Sequence, residues 1–293
     1  MAVLSFYRMG LNIMMKTIKK SIEIVILTHN RKLYAEKMIE SIKENTEYPH
    51  KIINVDNASN EETKEYLRCL MRKNIVSQVF YNQQNLFHQG WQTGIDATEG
   101  EMIVLSDPDI LVPRLEPCWL TQMVKLMEEN PNIGKLGARL DLSNHPSKTW
   151  RDKPLSGPSC LNPLPGLPLL SDGKIYRQHV DTTLHIMRKS IYPGGKMQGG
   201  LKGGNAGLPR RYLPGTVEAV ARDIVVYHLG WEDLKDYPDY FYDKFNNPDV
   251  FRSRIEYWNI LKSRGLMRYA IKRIYEYLKY RLKVISEKLG SIK

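Results

Sequence analysis

The chain has 293 residues, 42% hydrophobic and 26% charged, ordinary for a soluble globular protein with a sizeable core. Three scattered cysteines, Cys69, Cys118 and Cys160, form no CxxC pair, which argues against a disulfide framework or a zinc site and for a reducing compartment. The net charge of +11 is concentrated in residues 261–293, where ten Lys or Arg stand against two Glu, and no apolar run has the length of a spanning helix.

The first twenty residues, "MAVLSFYRMGLNIMMKTIKK", read as an N-terminal extension without a signal-peptide pattern, and translation from Met14 or Met15 is an open alternative. "IEIVILTHN" predicts a strand ending in Thr28, His29 and Asn30. Leu33, Met38, Ile39 and Ile42 then share one helical face. "HKIINVDNASN" predicts a second strand ending at Asp56 and Asn57, and "EETKEYLRCLMRK" a helix with Ser59 or Asn60 as its N-cap. "VSQVFYNQQN" and "WQTGIDATEG" give a third strand and helix, and "EMIVLSD" a fourth strand.

Strands alternating with helices predict βαβ units and a mostly parallel sheet covered on both faces. In such sheets ligands bind outside the carboxyl ends of the strands. Three strands here end in polar sequences on that edge: Thr28-His29-Asn30, Asp56-Asn57 and Asp107-Asp109. The segment "EMIVLSDPDIL" has two readings. Ser-Asp-Pro-Asp is a turn by composition, and two carboxylates one residue apart at a strand end can also converge on a hard cation. No glycine follows the first strand, and "GGLKGGNAG" lacks phosphate-loop spacing. A nucleotide here would be held by side chains and a metal.

"IEIVILTHNR", "INVDNAS", "NLFHQGWQTGI" and "IVLSDPDILV", in that order and spacing, resemble the family-2 glycosyltransferases of the GT-A fold over residues 22–115. The resemblance implies an α/β, three-layer α/β/α sandwich with a mostly parallel central sheet, extended here by C-terminal amphipathic helices. It implies a nucleotide-diphosphate sugar donor, an inverting transfer, and Mn²⁺ or Mg²⁺ as cofactor. By position, Thr28, Asn30, Arg31, Asp56, Asn57 and Asn85 would meet the donor nucleotide, with Ser59 completing the turn of Asp56. Asp107 would face ribose and metal, and Asp109 would ligate the metal. The sequence departs from the family at Phe87 and at Trp91-Gln92. The Glu-Asp pair that supplies a catalytic base in many members is also missing.

In the second half, "QHVDTTLHIMRKSIY" predicts a strand under the acceptor site. Its one acid, Asp181, is the expected base, with Glu218 and Asp223 as alternatives and a structural role for Asp181 also open. "ARDIVVYHLGW" predicts a strand ending in His228, which resembles the place of a further metal ligand. Two long turn-rich segments, 143–174 and 192–215, read as substrate loops or surface inserts, and Lys202, Arg210 or Arg211 could meet diphosphate.

The expected organisation is a transferase domain over 21–245, with a donor half at 21–115 and an acceptor half at 116–245, and a basic helical segment over 246–293. Within 266–289, apolar residues from Met267 to Leu289 recur at helical steps between cations and tyrosines. That pattern suits either an anionic membrane surface or docking on the domain. The partners expected are the sugar nucleotide and a glycan or lipid-linked acceptor, without nucleic acid. The expected location is cytoplasmic, with a peripheral place on the inner face of a membrane as a possibility. A sugar nucleotidyltransferase and a degenerate, non-catalytic sugar-nucleotide-binding module are the rival readings.

Overall fold

The computed structural model describes residues 21–144, 169–171, 173–177, 180, 183–191 and 216–232, all within one of the two units into which the chain divides. Asp181, the loop 192–215, most of 143–174 and the helix expected at 266–289 lie outside the described residues.

The first half follows the expected alternation. Strand β1 (Ile22–Thr28) leads into helix α1 (Lys32–Asn45), β2 (His50–Asp56) into α2 (Glu61–Arg72), and β3 (Gln78–Tyr81) into α3 (Trp91–Ala97). Helix α2 is well signed: Asn60 caps it by accepting from the Thr63 amide at 3.0 Å, Glu61 and Glu62 fill its first turn, and Arg72 closes its last. Next come β4 (Met102–Ser106), a two-residue β5 (Ile110–Leu111), α4 (Trp119–Glu129) and β6 (Ile133–Leu140). The remaining strands are β7 (Leu169–Leu170), β8 (Ile175–Arg177), β9 (Leu184–Arg188) and β10 (Val217–His228).

The strands form one sheet in the order β3-β2-β1-β4-β9-β6-β10-β8-β7, with β5 paired to β10. β1 to β4, β6 and β10 run one way, and β9 runs against β4 and β6. Alternation along β1 explains the layers. Ile22, Ile24 and Ile26 join Met38 and Ile39 of α1, Leu67 of α2 and Trp119 and Met123 of α4 on one face. Val25 joins Trp91 and Ile95 of α3 on the other. Full burial of each such side chain is worth about 1.5–3 kcal/mol, and two covered faces are why these strands read as unbroken apolar runs. Gly94 fits α3 closely to the sheet, since a Cβ there would stand 2.4 Å from Val25 Cγ1. The fold class is the expected three-layer α/β sandwich with a mostly parallel sheet.

Helix α4 and strand β6 were not among the elements read from the sequence. β6, "IGKLGARL", carries two glycines and two cations, poor strand formers that burial in mid-sheet overrides. Gly137 is required there, because a Cβ would lie 2.5 Å from Val180 Cγ1.

Candidate active site

The chain runs outward through β1, β2 and β3, then returns to lay β4 on the other side of β1. The loops after β1 and β4 therefore diverge at a switch point, where open α/β sheets bind ligands. Register aligns the three polar ends, Thr28 opposite Asp56 and Ile26 opposite Ser106.

Polar residues join the outer loops into one network. The Asn57 side chain donates to Asn85 Oδ1 at 2.7 Å and accepts from Asn82 Nδ2 at 3.1 Å and the Leu86 amide at 3.0 Å. The Asn30 amide donates to Ser59 Oγ at 3.0 Å, and the Asn60 amide donates to Asn30 Oδ1 at 2.6 Å. His29 Nδ1 donates to the Asn57 carbonyl at 2.9 Å. Asn30 and Ala58 hold positive φ of 50° and 61°, so this network also restrains backbone that L residues seldom adopt.

Burial sorts the expected donor residues. Thr28 and Asp56 are 0% exposed and Asn57 is 1% exposed. The Thr28 hydroxyl accepts from Asn54 Nδ2 at 3.0 Å, and the Asp56 carboxylate accepts from the Ser59 amide at 3.2 Å. As the structure stands, these three side chains offer a nucleoside no surface. In this arrangement they hold the loops, while Asn30 and Arg31 are exposed and Asn85 is half-buried.

The corner after β4 is built differently. β5 pairs antiparallel with the end of β10, setting Ile110 opposite His228, and the Leu229 amide donates to the Asp109 carbonyl at 2.8 Å. That pairing brings Asp109, 1% exposed, beside His228, whose Nδ1 lies 4.0 Å from Asp109 Oδ2. Arg31 Nη1 donates to the same Oδ2 from across the switch point. Asp109 Oδ1 is buried with no hydrogen-bond partner. Such an oxygen is costly to leave bare, and a cation would satisfy it. Asp107 is half-buried two residues earlier, its amide donating to the Thr183 carbonyl at 2.9 Å.

Three further residues shape this corner and were not singled out from the sequence. Trp231 stacks on His228, with centroids 4.5 Å apart and planes 6° from parallel. Asn144 Nδ2 donates to the His228 carbonyl at 2.9 Å. Gly230 permits the close turn, since a Cβ there would lie 2.5 Å from Asp109 Oδ2. The "HLGW" run held two of the three. Beside it, Tyr227 donates to Glu232 at 2.6 Å, and that bond, with burial, pushes the phenol up to about 12.

The alternative bases do not reach this corner. Glu218 sits near the amino end of β10, about 30 Å of extended strand from His228 at the other end. Asp223 is exposed and accepts from Arg222 Nε at 2.8 Å, a bond that holds its carboxyl below the usual range and makes it a weaker base.

Among the described residues, no three His, Cys, Asp or Glu side chains converge as a complete metal cage. Asp109 with its bare oxygen and His228 beside it supply part of one, a carboxylate-and-imidazole donor set that a divalent cation accepts.

A curated relative, an uncharacterized glycosyltransferase of Haemophilus influenzae, is 20% identical over 175 residues, 54% of this chain and 53% of its own length. The chain thus spans about half the length of that relative. Among solved structures, a mannosyltransferase of Pyrobaculum calidifontis in complex with GDP-Man and Mn²⁺ is 13% identical at a TM-score of 0.47, covering 92% of this chain and 80% of its own. GalNAc-T7 with UDP, GalNAc and Mn²⁺ is 14% identical at 0.48, covering 71% and 43%. Residues 23–192, more than half of the chain, match the family described as Glycosyl transferase family 2, and the protein belongs to that family.

Proposed function

We propose that the protein transfers a sugar from a nucleotide-diphosphate donor to a glycan or lipid-linked acceptor, with inversion at the anomeric carbon and with Mn²⁺ or Mg²⁺ as cofactor. The observation that carries this reading is Asp109: a buried carboxylate at the carboxyl edge of a family-2 sheet, one oxygen bare, set beside His228. Asp107, Asp109 and His228 would hold the cation, which supplies positive charge against the diphosphate as it departs.

The rest of the work falls to the chain. Asn30, Arg31 and Asn85 contact the nucleotide from the loops after β1 and β3. Thr28, Asp56 and Asn57 keep those loops in place through the hydrogen bonds described above. Asp181 takes the proton of the acceptor hydroxyl as that oxygen bonds to the anomeric carbon and the bond to the diphosphate breaks. The basic, apolar pattern of residues 266–289 suits an anionic membrane surface as a further partner. Among the described residues no helix is long and apolar enough to cross a membrane. Family membership gives nucleotidyl transfer no support.

A thermal-shift screen of UDP-, GDP-, CMP- and dTDP-sugars with and without Mn²⁺ tests the reading. One donor is expected to stabilise the protein only with metal, and Asp109→Ala to remove that effect. Equal shifts in parent and variant would take Asp109 out of the site. Metal-dependent binding without turnover on any acceptor would favour the binding module.

A further inference from the structure

The position of Arg31 is unusual for a cation. It is the N-cap residue of α1, which has no acidic residue in its first turn, and Lys32 follows it. The amino end of a helix disfavours positive charge and favours anions. Yet the guanidinium, 45% exposed, reaches across the switch point to a carboxylate that is 2% exposed, with its carbon 5.6 Å from the Tyr34 ring centroid. Unpaired, that buried carboxylate would be strongly penalised, so Arg31 neutralises Asp109.

The oxygen that Arg31 engages is also the one nearest His228, at 4.0 Å. A divalent cation held jointly by His228 and the Asp109 carboxylate would share that carboxylate with the guanidinium, and like charges so placed repel strongly.

We propose that Arg31 is an exchange residue: it holds Asp109 while the donor site is empty, gives the carboxylate up to the incoming cation, and passes its guanidinium to a diphosphate oxygen of the donor. The inference rests on the metal reading above and adds the order of events. No covalent bond changes, because two cations trade places on one carboxylate and the anion that arrives with the metal receives the displaced one. A planar guanidinium suits this hand-over, since its fork matches carboxylate and phosphate alike.

Competition has a distinctive sign. Apparent metal affinity is the intrinsic affinity multiplied by the fraction of molecules in which Asp109 is open. If Arg31 closes it in about nine of ten molecules, removing Arg31 tightens metal binding about tenfold. The same change weakens nucleoside diphosphate binding, because a phosphate contact is lost. A residue that only orients the carboxylate for the metal would weaken both.

The test titrates Mn²⁺ alone, read by electron paramagnetic resonance of the free ion, into the full-length parent, Arg31→Gln, Arg31→Lys and Asp109→Asn. UDP and GDP are then titrated at saturating Mn²⁺. Arg31→Gln is expected to bind Mn²⁺ about tenfold tighter and the nucleotide more weakly, with Arg31→Lys between it and the parent. Mn²⁺ affinity that is unchanged or weaker in both Arg31 variants overturns the exchange, while loss of binding in Asp109→Asn leaves the metal reading standing. Equal Mn²⁺ binding in Asp109→Asn and the parent overturns both. Should Arg31→Gln fail to fold, the sign of the Arg31→Lys change decides.

Discussion

The loops after β1, β2 and β3 and the corner made by β5 and β10 are both rich in polar side chains, and they use them in opposite ways. In the loops, Asn30, Asn57, Asn82 and Asn85 are engaged with one another or with backbone. At the corner, Asp109 is as buried as Asn57 but keeps one oxygen bare, with a cation that reaches in from solvent on the other. Buried polar groups with matched partners make scaffold, whereas a buried charge with a solvent-accessible partner remains exchangeable. The difference teaches that polarity at a strand end is not enough to identify a ligand contact. How far the side chain is already satisfied adds a second criterion.

Substitutions can break or sharpen this division. The largest effect is expected from Asp109→Ala: turnover in a donor-hydrolysis or transfer assay falls about a thousandfold. Metal-free stability should change little, because the Arg31 left behind is already 45% exposed. Near-parental turnover would show that the corner is not the site.

Gly230→Ala comes next, since its Cβ would stand 2.5 Å from Asp109 Oδ2. It should destabilise the protein by about 1–3 kcal/mol in urea denaturation and also weaken Mn²⁺ binding. Stability lost with metal affinity intact would separate the turn from the carboxylate it touches.

Asn57→Ala removes the residue at the centre of the loop network, at about 1–3 kcal/mol, and should raise the donor KM by loosening the loops. The smallest effect belongs to Thr28→Val, which leaves Asn54 Nδ2 without its acceptor at about 1 kcal/mol while donor KM stays at the parental value. A rise in KM as large as that of Asn57→Ala would mean that Thr28 touches the donor after all.

Much of the fold was legible because both sheet faces are covered, so β1, β2 and β4 appear as apolar runs between helices with a clear stripe. β6 was not, since its glycines answer to neighbours such as Val180 that are distant in sequence. Asp107, Asp109 and His228 were marked out by their strand-end positions together with the family resemblance, and the structure sets Asp109 beside His228. What could not be read was the contact of Arg31 with Asp109, which depends on which strands flank the switch point. Nor could the burial of Thr28 and Asp56 be foreseen, as a polar strand end looks the same in sequence whether it faces a ligand or a neighbouring loop.

The pairing of β5 with β10 also matters to anyone wishing to recombine this protein with its relatives. Two residues of ladder and one amide from Leu229 stitch the aspartate segment to a strand more than a hundred positions downstream. A chimera joined anywhere between them inherits its carboxylate from one parent and its imidazole from another, in a seam where a single added methyl group already collides. Productive crossovers should therefore carry residues 107–111 and 226–231 together as one cassette.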